Sequence, residues 1–296
     1  SQLLLREDAT AADSAARKIL TNRKGSGSGT SATFGNSGSL QRVNLNYITD
    51  TLTKNDPYRG HLINLLGYNV DVTNIPTTIA NLKLQPNLRQ IGATMHSTPL
   101  LITTEGNIDY DATTKQMVST NRKDYTLFGT TQGLLHVVDA ETGKEKFAFV
   151  PNEMVENQGD AFRVNNATNG GINKLYYGID GAWTAYTEYV LNGAGQLTVG
   201  AGKTTGQEGK MHVYGGLRMG GRSYYALDLQ NINNPSLKFH INPADQKVYA
   251  GGTATTFSPL QYMGQSWSKP TIAWINWGGT RKRVMFVGGG YDAGGV

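Results

Sequence analysis

Four stretches carry residue types that suit chemistry. Glu105-Gly-Asn107-Ile-Asp109-Tyr-Asp111 sets oxygen ligands at every second position, a spacing that suits a hard cation such as Ca²⁺. The Gly stands second where an EF-hand loop needs it sixth, and the twelfth residue from Glu105 is Gln116 where that loop needs Glu. The stretch therefore reads as an exposed hairpin excursion. Gly200-Ala-Gly-Lys-Thr-Thr-Gly206 has the look of a phosphate loop, but Leu197 stands where its first Gly belongs. The run that follows, Met211–Gly216, is β-prone, so no helix N-terminus is on hand for a phosphate; a hairpin loop is expected. His96 and His136 sit within or beside predicted strands and read as hydrogen-bonded structural histidines. No Gly-x-Ser-x-Gly elbow occurs to give a Ser/His/Asp set a context. Asp139 and Asp228 end equivalent strands, which predicts that their carboxylates accept turn N–H groups. On these grounds the sequence assigns no catalytic, cofactor-binding or metal residue.

The elements that would position such groups are β-strands. Tyr125–Gly129, Leu134–Asp139 and Lys146–Val150 are three β-prone runs. Turns at Gln132-Gly133 and at Ala140–Gly143 separate them, with Gly where the backbone must reverse. The unit recurs. Tyr224-Tyr-Ala-Leu-Asp228 echoes Leu135-His-Val-Val-Asp139, Met211–Gly216 echoes Tyr125–Gly129, and Val284–Gly288 begins a third copy. A strand precedes each: Ser97–Ile102, Gly181–Ala185 and Ser268–Ala273. Aligned on Pro99, Trp183 and Pro270, the units stand roughly 85 residues apart, loops included. The fold class this predicts is all-β, a β-propeller of four-stranded blades that is incomplete in this chain, with about two and a half blades over 93–296. Before it, 1–92 form a helical and irregular lead-in. A helix is expected over residues 3–22 and a flexible Gly/Ser loop at 24–39.

Composition narrows the function classes. The chain has 296 residues, 37 Gly, no Cys and 17% charged residues. Neither a disulfide framework nor a thiolate metal site is available. No apolar run reaches the roughly 18 residues of a membrane-spanning helix. The net charge of +5 is mild and scattered. Its densest cluster, Arg281-Lys-Arg283, is expected at a solvated hairpin tip, so nucleic acid is not an expected partner. Fifteen Tyr and four Trp suit packing between blades, with exposed members available for an interface. Asn166-Ala-Thr168 matches a glycosylation sequon.

Taken in order, His96-Ser-Thr-Pro99, Gly129-Thr-Thr-Gln-Gly-Leu-Leu-His-Val-Val-Asp-Ala-Glu-Thr-Gly143, Phe149-Val-Pro151, Asp180-Gly-Ala182, Gly215-Gly-Leu-Arg-Met-Gly-Gly-Arg-Ser-Tyr-Tyr-Ala-Leu-Asp228, and Trp267-Ser-Lys-Pro270 through Gly288-Gly-Gly-Tyr-Asp292 resemble the C-terminal β-propeller of the PilC/PilY family of type IV pilus-associated tip adhesins. Arg17-Lys-Ile-Leu-Thr-Asn22 resembles that family's lead-in. The resemblance implies a secreted, non-enzymatic protein at the pilus tip on the bacterial cell surface. It would support pilus biogenesis with minor pilins and the pilus tip complex, and adhesion to a host-cell or abiotic surface receptor. It places a Ca²⁺ loop in a downstream part of the propeller, beyond Val296, and so implies no cofactor in this chain. Two other readings share the pattern. The Asp-Ala-x-Thr-Gly-Lys turn at Asp139–Lys144 also occurs in quinoprotein-like dehydrogenase propellers, and a periplasmic scaffold propeller would show regular short blades.

Overall fold

The computed structural model describes residues 17–85, 91–163 and 176–291. The helix expected over 3–22 lies outside these residues up to position 16. The rest of that stretch is not helical: Ile19–Ser26 is a strand, β1. Nor is 24–39 a flexible loop. It holds the turn and second strand of an antiparallel hairpin, β1 with β2 (Thr33–Val43). The glycines mark the reversal, with Gly27 and Gly29 at positive φ. Pairing from far along the chain decides the matter, because β1 lies parallel to Phe147–Val150 with Ile19 opposite Ala148 and Thr21 opposite Val150. The register slips between Thr21 and Arg23, and this bulge frees Asn22 for partners outside the ladder.

A short helix α1 (Arg59–Leu65) follows, in the lead-in expected to be helical and irregular, and then a small pair, β3 (Tyr68–Asn69) and β4 (Lys83–Leu84). The first repeat is β5 (Leu100–Asp111), β6 (Gln116–Gly129), β7 (Leu135–Asp139) and β8 (Glu145–Val150), each antiparallel to the next. The expected excursion at Glu105–Asp111 is thus one arm of a long two-stranded hairpin continuous with the sheet. After helix α2 (Asn152–Gln158), the second repeat begins at β9 (Trp183–Glu188). The hairpin β10 (Val190–Leu191) and β11 (Leu197–Thr198) then leaves to join the edge of β5. The second repeat resumes with β12 (Lys210–Gly216), β13 (Tyr224–Asp228) and β14 (Ser236–Asn242), and extends through β15 (Lys247–Ala250) and β16 (Thr253–Thr256). The third unit is the pair β17 (Thr271–Trp277) and β18 (Thr280–Phe286).

The protein is all-β in this sense, but the sheets exceed four strands. One runs β10-β11-β5-β6-β7-β8-β1-β2 and the other β16-β15-β14-β13-β12-β9. In each, four consecutive strands follow the predicted repeat, and neighbouring segments add to its edges. The central strands β7 and β13 are buried on both faces. One apolar cluster joins the two sheets with α1 and α2, from Ile19 and Leu62 through Phe149 and Met154 to Val213 and Leu237. Arg281-Lys-Arg283 lies within β18 and not at a hairpin tip. The turn is at Gly278-Gly279, both at positive φ, and Arg281 and Arg283 stack on Trp274 and Tyr186.

Candidate functional site

The residues three positions before Pro99, Trp183 and Pro270 are His96, Asp180 and Trp267. They are equivalent positions in three lead-in segments, and the fold brings them together. Asp180 is fully buried, and its carboxylate accepts from His96 Nδ1 at 2.9 Å and from the His96 backbone N–H at 3.3 Å. Arg218 donates to the other Asp180 oxygen at 3.3 Å. The Arg218 guanidinium also lies 4.3 Å above the Trp267 ring. Tyr291 meets that ring edge-on, and the indole N–H donates to Gln265. His96, Trp267 and Tyr291 remain substantially exposed.

Local chemistry builds this knot. Ser97 takes the N–H of Gly129 at 2.7 Å, and Ser266 takes that of Leu217 at 2.7 Å. The loops after β6 and β12 also bond the next lead-in, Ile179 N–H to the Thr130 carbonyl and Arg218 N–H to the Ser266 carbonyl. These contacts need glycine. A Cβ on Gly129 would strike Ile179, and one on Gly220 would strike the Gly178 carbonyl. Arg218 itself adopts a left-handed φ of 50°, rare for a side chain of its size, which turns it toward Asp180 and Trp267.

The other sequence candidates fall elsewhere. Glu105, Asn107, Asp109 and Asp111 lie along β5, and the oxygens of the last three have neighbours of their own. Asn107 and Asp109 accept from Asn192 and Gln196, and Asp111 caps the hairpin turn through Thr113 and Thr114. Among the described residues no group of three or more His, Asp or Glu is placed to hold a metal. Residues 200–206 form a hairpin loop closed by Gly202 to Gln207 and Gly209 to Gly200, with a strand and no helix after it. Asp139 accepts from Glu141 and Thr142 N–H, and Asp228 from Gln230 N–H, as the repeat predicts. Asn166 of the sequon lies outside the described residues.

His136 is wholly buried, with Nδ1 2.7 Å from Glu145, whose carboxylate is also paired with Arg17 at 2.7 Å. Burial pushes the His136 pKa down against the pull of Glu145. Burial would raise the Glu145 pKa, but Arg17 and His136 outweigh it and hold it down to about 2. A second buried cluster was not legible in the sequence. His240 Nε2 lies 3.0 Å from Ser223 Oγ, and its Nδ1 lies 3.3 Å from the Asn22 amide. The order serine, histidine, amide is that of a nucleophile relay. Yet His240 and Ser223 are essentially sealed from solvent, and the imidazole is stacked between Tyr225 and Tyr249. No substrate reaches this serine in the folded chain, and the cluster serves to tie β1 to the second repeat.

Beside the knot lies a cleft of about 540 Å³. Tyr58 and His61 of the α1 region form one wall. Glu156 of α2 and Asp160 of the next turn form another, and Tyr176, Tyr177, Met219 and Gly220 complete it.

No protein-family description matches this chain. No curated protein matches it either. Among solved structures it is similar to the Pseudomonas aeruginosa PilY1 C-terminal domain. The likeness covers 58% of this chain and 25% of that one, at 23% identity and a TM-score of 0.35. The chain thus spans about a quarter of that structure's length. No helix of the described residues is long and apolar enough to cross a membrane.

Proposed function

We propose that this chain belongs to a type IV pilus-associated binding and assembly protein, acts without catalysis, and works at the bacterial surface. One observation carries the reading. Four of the motif segments that resemble PilC/PilY propellers meet in one knot, where His96, Asp180, Arg218 and Trp267 touch in sequence. Motifs scattered over about 170 residues have no local reason to coexist; a shared contact supplies one. The two four-strand repeats then read as blades, with β5 and β9 as the strands nearest the knot, and β1–β2 and β15–β16 as additions at the outer edges. Propeller blades of this kind leave their lead-ins and loops at the two mouths of the ring, where partners bind.

The rim of the knot suits an interface. Trp, Tyr and Arg dominate the energetics of protein contacts, and here Trp267, Tyr291 and Arg218 sit together with the two rings exposed. Minor pilins or a surface receptor are the partners this reading expects. The test is genetic. The full-length gene is deleted, surface pili are counted by electron microscopy, and adhesion is measured in the same cells. Loss of pili or adhesion, restored by the intact gene, supports the reading; normal piliation and adhesion sink it.

A further inference from the structure

The third unit is anchored at its root and almost free beyond it. Its lead-in is tied down. Ser266 accepts from Leu217 N–H, Arg222 donates to the Met263 and Gln261 carbonyls, and the Tyr224 hydroxyl donates to the Ser268 carbonyl. The segment after β18 returns to the same place, where Gly264 N–H donates to the Gly289 carbonyl and Gln265 N–H to that of Tyr291. The hairpin between these anchors is different. β17 and β18 pair only with each other. None of their residues is buried, and none belongs to the apolar cluster that joins the two large sheets. Among the described residues, one side chain of this hairpin makes a hydrogen bond or ring contact outside it: Arg283 of β18. A two-stranded hairpin is marginal alone, so the place of this one rests largely on that side chain.

Arg283 reaches the second repeat at a histidine. Its guanidinium lies 4.1 Å from the centre of the Tyr186 ring of β9, and Nη2 stands 3.0 Å from Nδ1 of His212 on β12. A guanidinium only donates, so Nδ1 accepts and the ring proton sits on Nε2. Nε2 faces the Asp228 carboxylate of β13 at 3.5 Å. The contact therefore needs a neutral ring. A second proton must go on Nδ1, where it meets Arg283, so that two donors and two positive charges face one another.

The groups around the ring do not remove this conflict. Lys210 of β12 is paired with Glu188 of β9 at 3.3 Å, and Glu188 also accepts from the Tyr186 hydroxyl. Lys238 of β14 brings a further cation, its pKa lowered by burial and then by Arg283. Tyr214 of β12 stands edge-on to the imidazole, and burial raises its pKa, so it stays neutral. The Asp228 carboxylate, its pKa lowered chiefly by the His212 hydrogen bond, remains to receive a protonated ring. His212 in its charged form is thus held on the sheet side and repels Arg283 on the hairpin side.

We infer that the β17–β18 hairpin is an acid-released flap on the second repeat, latched through Arg283 by neutral His212 and freed when His212 takes up a proton. The direction follows from linkage. Release removes the opposing guanidinium, so the proton binds the released form better, and falling pH favours release. Release uncovers Tyr186 and Tyr214, together with Ile272, Trp274 and Met285, which strand alternation and register place on the same side of the hairpin as Arg283. This goes beyond the pilus reading and does not depend on it.

The chain has no cysteine, so a pair of spin labels can be placed without background. Asn276→Cys on the hairpin and Ser236→Cys on β14, both at exposed positions, report the separation of hairpin and second repeat by pulsed electron spin resonance. At about pH 7.5 one narrow distance is expected, and at about pH 5.5 at least about half of the molecules are expected to leave it for longer distances. His212→Gln has an amide oxygen that accepts from Arg283 and takes up no proton, and is expected to keep the narrow distance at both pH values. Arg283→Leu is expected to give the long, broad distribution at both. A wild-type distribution indifferent to pH, a pH response that survives in His212→Gln, or an Arg283→Leu hairpin that stays docked would each overturn the inference. Circular dichroism melting checks the fold of both variants. Arg283 is half-buried on a peripheral hairpin, so its variant and the wild-type response still decide if His212→Gln unfolds.

Discussion

Asp180 and Arg218, both of the second repeat, meet at 3.3 Å between the lead-ins of the first and third, one side chain wholly buried and the other a quarter exposed. Their contact joins three lead-ins, because His96 shares the same carboxylate and Arg218 covers Trp267. Removing the carboxylate strands donors on both sides. Asp180→Ala is expected to destabilise the chain by about 1–3 kcal/mol, the cost of leaving such groups unsatisfied. Asp180→Asn keeps the volume and one acceptor and is expected to cost less. Urea unfolding of the three proteins ranks them, and an unchanged midpoint for Asp180→Ala would show that the knot is not a structural joint.

The buried set of Arg17, Glu145 and His136 predicts an acid response. The Glu145 pKa falls from an ordinary 4.5 to about 2 in the folded chain, against the effect of its own burial. A depressed carboxylate contributes stability that is complete above its unfolded value and is lost as pH falls from 4.5 towards about 2. The His136 pKa is also lowered, chiefly by burial. The unfolded chain then takes up that proton first, so stability begins to decline as pH drops below the ordinary histidine range. Glu145→Gln would leave Arg17 charged and buried, at a cost of about 3–5 kcal/mol at neutral pH. The gap between wild type and variant is expected to narrow as pH drops from 4.5 to about 2. Urea titrations at pH steps across that window check both the gap and its closure.

Ser223 and His240 give a sharper contrast between form and access. A serine 3.0 Å from an imidazole nitrogen is the geometry of an activated nucleophile, and burial is what disarms it. A fluorophosphonate probe is expected to leave Ser223 unlabelled in the native protein, as read by peptide mass spectrometry. Stoichiometric labelling at Ser223 would reopen the enzymatic reading.

Much of the strand pattern was legible because it is local. Tyr125–Gly129, Leu134–Asp139 and Lys146–Val150 alternate or run apolar between turn glycines, and β6, β7 and β8 cover them. Their copies at Met211–Gly216 and Tyr224–Asp228 were legible for the same reason. What failed depends on partners distant in the chain. Ile19–Ser26 is a strand because β8 offers it an edge more than 120 residues away, and a Gly/Ser-rich segment is ordered because β1 pairs with it. The charge run Arg281–Arg283 suggests a solvated tip, whereas Arg281 stacks on Trp274 of its own hairpin and Arg283 on Tyr186 of β9, far off in the chain. The knot does leave a signal in the sequence. Alignment on Pro99, Trp183 and Pro270 sets His96, Asp180 and Trp267 at equivalent positions, and these are the lead-ins that the Asp180–His96 and Arg218 contacts bring together. Tyr58, His61 and Glu156 carry no such signal, because their cleft exists only once α1 packs against the turn that follows α2.

Trp267 offers the most direct test of whether the knot is an interface. Its ring is 40% exposed, and its contacts are the Arg218 guanidinium, the Tyr291 edge and the Gln265 side chain. An exposed cation–π pair contributes only about 0.5–1 kcal/mol. Trp267→Ala is therefore expected to lower the unfolding free energy by no more than about 1–2 kcal/mol. At an interface the same ring would be worth about 2 kcal/mol or more, because a hot-spot aromatic is desolvated by its partner. The two roles separate in one pair of measurements. Complementing the deletion strain with Trp267→Ala is expected to reduce piliation or adhesion sharply, while the purified variant melts within a few degrees of wild type. Trp267→Phe, which keeps an aromatic face over Arg218, is expected to recover part of the function. Full function in the Trp267→Ala strain would move the contact surface away from the knot and leave its aromatic rim as packing alone.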